Sequence, residues 1–262
     1  MKKRIVLCAD DYGQAPAISQ GILSLVEKKR LSAVSCMVTM SDWPIHAKWL
    51  SPFHHQIDIG LHFNLTEAKM PLGKLMWKAL WRQIKIADVR AALEEQIDAF
   101  SAAMGFLPQF IDGHQHVHQF PVIRDAVLQV YQERFTDKAT YLRLVNTPLN
   151  GDIKTKIKKI IIKAMGSYAL EKQLKATHIP HNSSFGGIYD FAATKAYAEQ
   201  FPCFLEEVSQ GGLIMCHPGL LPKDSRDPIG EARYREYGYF MDNQFLEDCE
   251  RGRTKIERFK LD

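Results

Sequence analysis

Apolar residues fall into two kinds of stretch along this chain. Runs at 4–9, 33–40, 57–63, 109–112, 141–145, 177–179 and 212–216 are short and largely uninterrupted. Between them, at 16–29, 45–50, 87–104, 121–133, 153–175, 191–208 and about 240–251, apolar positions recur every three or four residues. In 87–104, for instance, Ala91, Leu93, Ile97, Phe100 and Met104 share one face, while Glu94, Glu95 and Asp98 lie opposite. The first kind suits strands buried on both faces, the second helices with one buried stripe. Strand and helix alternate, which predicts parallel βαβ units. Seven strands predict an α/β fold of (β/α) barrel type, one strand short of eight, with a doubly wound open sheet as the alternative. No repeat, low-complexity tract or composition shift divides the 262 residues, so one domain over 1–262 is expected.

Polar residues gather at the ends of these runs. Asp10 and Asp11 follow the first, Thr39 closes the second, His62 follows "IDIGL" and His114 follows "FIDG". Arg143 interrupts "TYLRLV", and His217 follows "LIMC". Strand C-termini of a parallel barrel converge on one rim, so six strands would deliver polar groups to one place.

The groups themselves narrow the chemistry. Adjacent carboxylates at a strand exit repel, and burying either one is costly without a partner; a cation answers both problems, although a lone aspartate there would serve as a helix cap. In "FIDGHQHVHQF" an extended chain would turn Asp112, His114, His116 and His118 to one side, because alternate residues share a face. Gly113 permits a bend that would rotate the later ones away. His114, nearest the strand end, is therefore the favoured metal ligand and His116 its alternative. One carboxylate with two imidazoles leaves coordination positions open, as catalytic metal sites require. Asp112 can accept the second ring N–H of a ligating imidazole. The other aspartate of the pair could act as general base, and His217 in "CHPGL" could protonate a departing group.

Composition removes several classes of partner. The chain has 34 Lys and Arg against 30 Asp and Glu, a formal net charge of +4, with the bases scattered; nucleic acid is not expected. Five widely spaced cysteines without a CxxC pair fit a reducing compartment, and the N-terminal apolar run is too short for a signal peptide, so a cytoplasmic protein is expected. In 153–165, Ile153, Ile157, Ile160, Ile161 and Met165 form a stripe beside five lysines. Such a helix packs its stripe on the barrel or on a second copy as a homodimer, with contact to a membrane surface the less expected reading. Trp77 and Trp81, spaced i, i+4, are either sugar platforms or one apolar helix face.

"ADDYG", "GLHFNLTE", "IDGHQHVHQFP", the arginine of "YLRL" and "CHPG" occur in the order seen in the YdjC-like family, which the chain resembles from residue 4 to about residue 240. That family comprises carbohydrate deacetylases related to the polysaccharide deacetylases. The resemblance implies a distorted, polysaccharide-deacetylase-like (β/α) barrel that removes N-acetyl groups from amino sugars with one divalent cation. Asp11, His62 and His114 would then be the metal ligands, Asp10 the base, His217 the acid, and Arg143 the residue orienting an acidic group at the rim. The family is associated with Mg2+, whereas two imidazoles also admit Zn2+ or another transition ion. Many relatives carry an acid four residues before the equivalent of His217; here that position is Leu213. Two other readings compete: a two-metal phosphoesterase or cyclic amidohydrolase, which His116 and His118 would serve, and a non-catalytic sugar-binding protein with a vestigial site.

Overall fold

The structure, a computed structural model, describes residues 2–66, 70–137, 139–191, 196–221 and 227–260. In chain order its elements are β1 (Lys3–Tyr12), α1 (Pro16–Glu27), β2 (Ala33–Cys36), α2 (Trp43–Leu50), β3 (Asp58–Phe63), α3 (Leu72–Leu80) and α4 (Ile86–Met104). They continue with β4 (Phe110–Gly113), α5 (Ile123–Arg134), β5 (Tyr141–Leu142), α6 (Ile153–Ile162), α7 (Tyr168–Thr177), β6 (Phe185–Gly186) and α8 (Tyr197–Glu207). β7 (Gly212–Cys216), α9 (Gly230–Met241), α10 (Gln244–Arg251) and β8 (Thr254–Ile256) complete the chain.

Seven parallel strands pair in the order β5-β4-β3-β2-β1-β7-β6, the α/β barrel-like architecture that the alternation predicts. The eighth strand, β8, runs beside the N-terminal half of β1, below the stretch paired with β2. A bridge between Leu142 and His181, with the Leu142 N–H donating to Pro180 O at 2.9 Å, draws the β5 edge towards the segment entering β6. The sheet is thereby curled into a half-barrel.

Several boundaries differ from the sequence reading. The expected strand at 177–179 is instead the end of α7 at Thr177, and the sixth strand is Phe185–Gly186, too short to leave a periodic signal. β2 stops at Cys36, α9 and β8 were not foreseen, and α3 places Trp77 on a helix, one of the two alternatives its spacing offered. The expected helix 153–175 breaks at Gly166, whose φ of +133° brings the chain so close to Gln119 that a Cβ would lie 2.1 Å from its carbonyl oxygen. Residues 192–195 of the expected helix 191–208 lie outside the described residues; α8 accounts for the remainder.

Strand parity then sets what faces the inside. Val6, Cys8, Ala33, Phe110, Tyr141, Phe185, Leu213 and Met215 pack together within the curl, whereas Ile5, Leu7, Ala9 and Ile214 join the larger core under the helices. Phe110 stacks on Tyr141 with ring centroids 5.0 Å apart. Gly60 makes room for that layer, since a Cβ there would sit 2.5 Å from the Phe110 ring. One step further along each strand, the same inward row becomes polar: Asp10 follows Cys8, Asp112 follows Phe110, and Arg143 follows Tyr141. His62 is in register with Asp112 and shares its side. An apolar floor therefore carries an ionic layer at the C-terminal rim.

Candidate active site

Asp10 and Asp11 could not both face inward from a regular strand. The β1–β2 register shifts between Ala9 and Tyr12, and Asp11 has φ +68°, a left-handed conformation uncommon for a residue with a side chain. This irregularity brings both carboxylates to the rim, each 1% exposed.

The two then acquire different partners. Both oxygens of Asp10 are gripped by Arg143, Nη1 to Oδ2 at 2.6 Å and Nη2 to Oδ1 at 2.7 Å. The same fully buried guanidinium lies 2.5 Å from Asp112 Oδ2. Arg143 thus neutralises two interior carboxylates, and the charge of Asp112 together with Asp10 holds its own proton more firmly than usual despite the burial. Asp11 turns away from this pair. Its Oδ1 lies 3.2 Å from His62 Nε2 and 3.0 Å from His114 Nδ1, and those nitrogens are 3.3 Å apart. Its Oδ2 accepts from Arg233 Nη2 at 2.8 Å. Burial opposes ionisation of Asp11, but Arg233 and the histidines outweigh it and hold the carboxyl well below its usual range.

Asp112 decides how His62 presents itself. His62 Nδ1 donates to Asp112 Oδ1 at 2.6 Å, which leaves the Nε2 lone pair aimed at Asp11 and His114. A neutral His62 would face a carboxylate oxygen lone pair to lone pair. That arrangement calls for a cation or a proton between them. Without a metal the proton supplies it: burial alone would lower the His62 pKa, yet Asp112 and Asp11 lift it to about 10.

The other two histidines of the "GHQHVH" stretch leave this cluster. The strand ends at Gly113, and Gln115 and His116 both take left-handed backbone conformations, so the alternation of side chains stops there. His116 lines the cavity and meets Phe185 edge-on at 5.6 Å, while His118 Nε2 donates to Arg143 O at 2.9 Å. His114 is the one of the three within reach of Asp11 and His62.

His217 stands across the cavity. Its backbone N–H donates to Glu236 Oε2 at 2.5 Å, and its ring packs edge-on against Phe191 at 5.3 Å. The ring's Nδ1 is buried without a partner, which leaves Nε2 as the nitrogen able to serve the cavity. Leu213 lies in the apolar floor, and the one described contact of a carboxylate with His217 is that of Glu236 to its backbone N–H, with none to the ring's Nδ1. Burial accordingly pushes the His217 pKa down to about 4, and that of Glu236, whose Oε1 accepts from Tyr189 at 2.5 Å, up to about 7.

Arg233 and Glu236 did not figure in the sequence reading. Both come from α9, where Arg233, Glu236 and Phe240 recur with helical spacing on the buried face. A charged pair in positions that a core would fill with apolar residues was the available signal.

All five residues expected to touch metal or substrate, Asp10, Asp11, His62, His114 and His217, line one cavity of about 560 Å³. The acid stability of the metal-free protein should report its buried imidazoles. Burial holds His118 and His217 near pKa 4 and His116 well below its ordinary 6.5, so between pH 6.5 and 4 the unfolded chain binds protons that the folded one refuses. Glu236 acts in the opposite sense, being protonated in the fold from about pH 7 and in the unfolded chain only near 4.5. His62, already protonated in the fold, also opposes the three, but only until the unfolded imidazole takes up its own proton below about pH 6.5. The three groups still outweigh the opposition, and stability should fall by several kcal/mol as pH drops through this window, at about 1.4 kcal/mol per group per pH unit. Urea midpoints measured at pH 6.5, 5.5 and 4.5 check this; an unchanged midpoint would contradict it.

The profile of the YdjC-like protein family matches residues 4–251. The carbohydrate deacetylase of Danio rerio is 30% identical over 151 residues, covering 50% of this chain and 47% of that protein. The chitooligosaccharide deacetylase of Yersinia pestis (strain Pestoides F) is 30% identical over 147 residues, covering 51% of this chain and 58% of that protein. The chain thus spans about half the length of the curated relatives it matches. Among solved structures, an Enterococcus faecalis V583 protein named provisionally for cellobiose-phosphate cleavage superposes with a TM-score of 0.72 at 16% identity, over 98% of each chain. A family 4 carbohydrate esterase from Streptomyces lividans, solved with acetate, superposes with a TM-score of 0.52 at 8% identity, over 97% of this chain and 91% of that one. Both are likenesses of fold.

Proposed function

The chain belongs to the YdjC-like family, and from that premise we propose that it is a metal-dependent hydrolase removing an N-acetyl group from an amino sugar. The observation that carries this reading is the convergence of Asp11 Oδ1, His62 Nε2 and His114 Nδ1, three electron-pair donors within 4.8 Å of one another. These residues would hold the cation, and their nitrogen-rich set suits a transition ion such as Zn2+ better than Mg2+. When bound, a divalent ion supplies Lewis acidity to an acetamide carbonyl and lowers the pKa of water.

The residues around the cation divide the proton work. Asp10 is not free to join the ligands, because Arg143 occupies both of its oxygens; fixed in direction beside that cation, it takes a proton from the attacking water. His217 faces the other side of the cavity and gives a proton to the departing amine nitrogen as the C–N bond breaks. Its resting ring is neutral, so it takes a proton from solvent as negative charge develops in front of it, passes that proton to the amine nitrogen and returns to its neutral form. The proton taken by Asp10 leaves to solvent, which balances the one His217 took up.

A second group, Asp10 and Asp112 with Cys8, has the spacing to hold a second ion, as a phosphoesterase-like site would require. Arg143 fills it with a permanent cation instead. One bound ion per chain is therefore expected by elemental analysis. Acetate should be released from N-acetylated amino sugars, should fall to background with chelator, and should return on adding a divalent ion. Two ions per chain, or chelator-insensitive release, would overturn the reading.

A further inference from the structure

We propose that the mouth of this cavity docks on an anionic lipid bilayer, and that the amino sugar it receives is carried on a lipid. The choice of substrate rests on the deacetylase reading; the docking surface does not.

The wall away from the ionic cluster is mostly apolar, built by Leu72 and Met76 of α3, Ile157 and Ile161 of α6, and Met165 and Phe120, with Lys154 and Lys158 of α6 as its polar members. A free oligosaccharide would turn most of its hydroxyl groups against side chains that offer no hydrogen bond, Lys158 being already engaged with Tyr189 O, whereas a hydrocarbon chain would be matched by the six apolar residues. The aromatic side chains best suited to stack on sugar point elsewhere. Trp77 and Trp81, with ring centroids 6.3 Å apart, are absent from the cavity lining and face solvent.

The same two helices also carry exposed apolar residues. Trp77, Leu80 and Trp81 on α3 and its C-terminal end, and Ile153, Ile157 and Ile160 on α6, are all exposed, Trp81 by 68% and Ile153 by 77%. Charge follows the same geography. Residues 70–87 and 153–170 contain nine Lys and Arg and no Asp or Glu, so in a chain of net charge +4 the remainder is net acidic. Lys158 and Lys159 turn inward, to Tyr189 O and Glu207. The other seven make no ion pair among the described residues. Exposed indoles and isoleucines ringed by unpaired bases are the composition of a helix that lies in a lipid interface.

A second copy would meet this face less well. A two-fold contact would set two basic patches against each other and close both cavities. Anionic headgroups answer the charge, and the acyl region answers the isoleucines. No helix among the described residues is long and apolar enough to cross a membrane, so the contact would be made at its surface.

The test uses the full chain with vesicles of phosphatidylglycerol and phosphatidylcholine in equal parts, and with phosphatidylcholine alone. The protein should sediment with the anionic vesicles only, with a blue shift in tryptophan emission, and should be released at about 0.5 M salt, where surface charges are screened. In the double variant Trp81→Glu/Ile160→Glu, which leaves the cavity lining untouched, vesicle binding should weaken at least tenfold while acetate release from a soluble N-acetylated chitooligosaccharide is unchanged. Acetate release from N-acetylglucosamine on a polyprenyl carrier in anionic vesicles should exceed that from the soluble sugar at least tenfold, and lose that advantage in the variant. Failure to bind anionic vesicles overturns the docking surface, as does a dimer in light scattering that the variant dissociates. Equal rates on the two substrates overturn the lipid carrier and leave the deacetylase reading standing. Vesicle binding without acetate release from either substrate upholds the docking surface and removes both the deacetylase reading and the lipid-borne substrate.

Discussion

Asp10→Asn is expected to keep its divalent ion and to lose acetate release by about a thousandfold, the scale on which a positioned base contributes. Asp11→Ala is expected to lose both together. The two side chains are neighbours in sequence, equally buried, and carry the same charge, so only their partners separate them. Asp11 sends Oδ1 to His62 and His114, while Asp10 gives both oxygens to Arg143. An amide at position 10 keeps the shape and can still accept from one guanidinium N–H, but has no negative charge with which to draw a proton from water. Removing the carboxylate at position 11 leaves two imidazoles as the whole donor set. Calorimetric titration of the metal into each variant, beside single-substrate rates, reads the difference. Loss of the ion in Asp10→Asn would show that the carboxylates share one task.

How much of this was legible in the sequence follows from how each residue is placed. Asp10, Asp11, His62 and His114 stand where apolar runs end, and the ends of parallel strands meet, so position in the pattern was enough to gather them. The pairing inside the site was less accessible. Nothing local in "YLRLV" says that Arg143 reaches Asp10 and Asp112 rather than a group on the substrate; only the curl of the sheet does. His116 and His118 were drawn into the picture by counting a two-residue period past Gly113, where two left-handed residues have already ended it. Arg233 and Glu236 escaped because the last helical pattern was read from Phe240 onwards, and a helix whose buried face carries a cation and an acid does not announce itself by apolar spacing. β6 escaped because two residues have no period at all.

Replacing the most deeply buried cation should have the largest effect on the fold. Arg143→Met preserves much of the stem's volume but leaves Asp10 and Asp112 facing each other across a dry interior, each at most 1% exposed. Breaking a buried pair by removing one partner typically costs 3–5 kcal/mol, and here two carboxylates lose the same partner, so a loss of about 4 kcal/mol or more is expected at pH 7.5. The deficit should depend on pH in a definite sense. Asp112 keeps His62 at Oδ1, but without the guanidinium burial and the facing carboxylate favour a proton shared by the pair, so the folded variant takes up a proton that the unfolded chain does not until lower pH. Stability relative to wild type must then recover as pH falls from 7.5 to 5. Arg143 also helps to hold the pKa values of His116 and His118 down, so in the variant these rings accept protons more readily and their change has the same sense. Arg143→Lys restores one positive charge but cannot grip two oxygens of Asp10 while reaching Asp112, and should recover only part of the loss. Urea unfolding of the wild type and both variants at the two pH values measures all of this. A deficit below about 1 kcal/mol, or one that does not narrow at pH 5, would mean that Arg143 is not the counter-charge of the two aspartates, and the division of roles between Asp10 and Asp11 would lose its support.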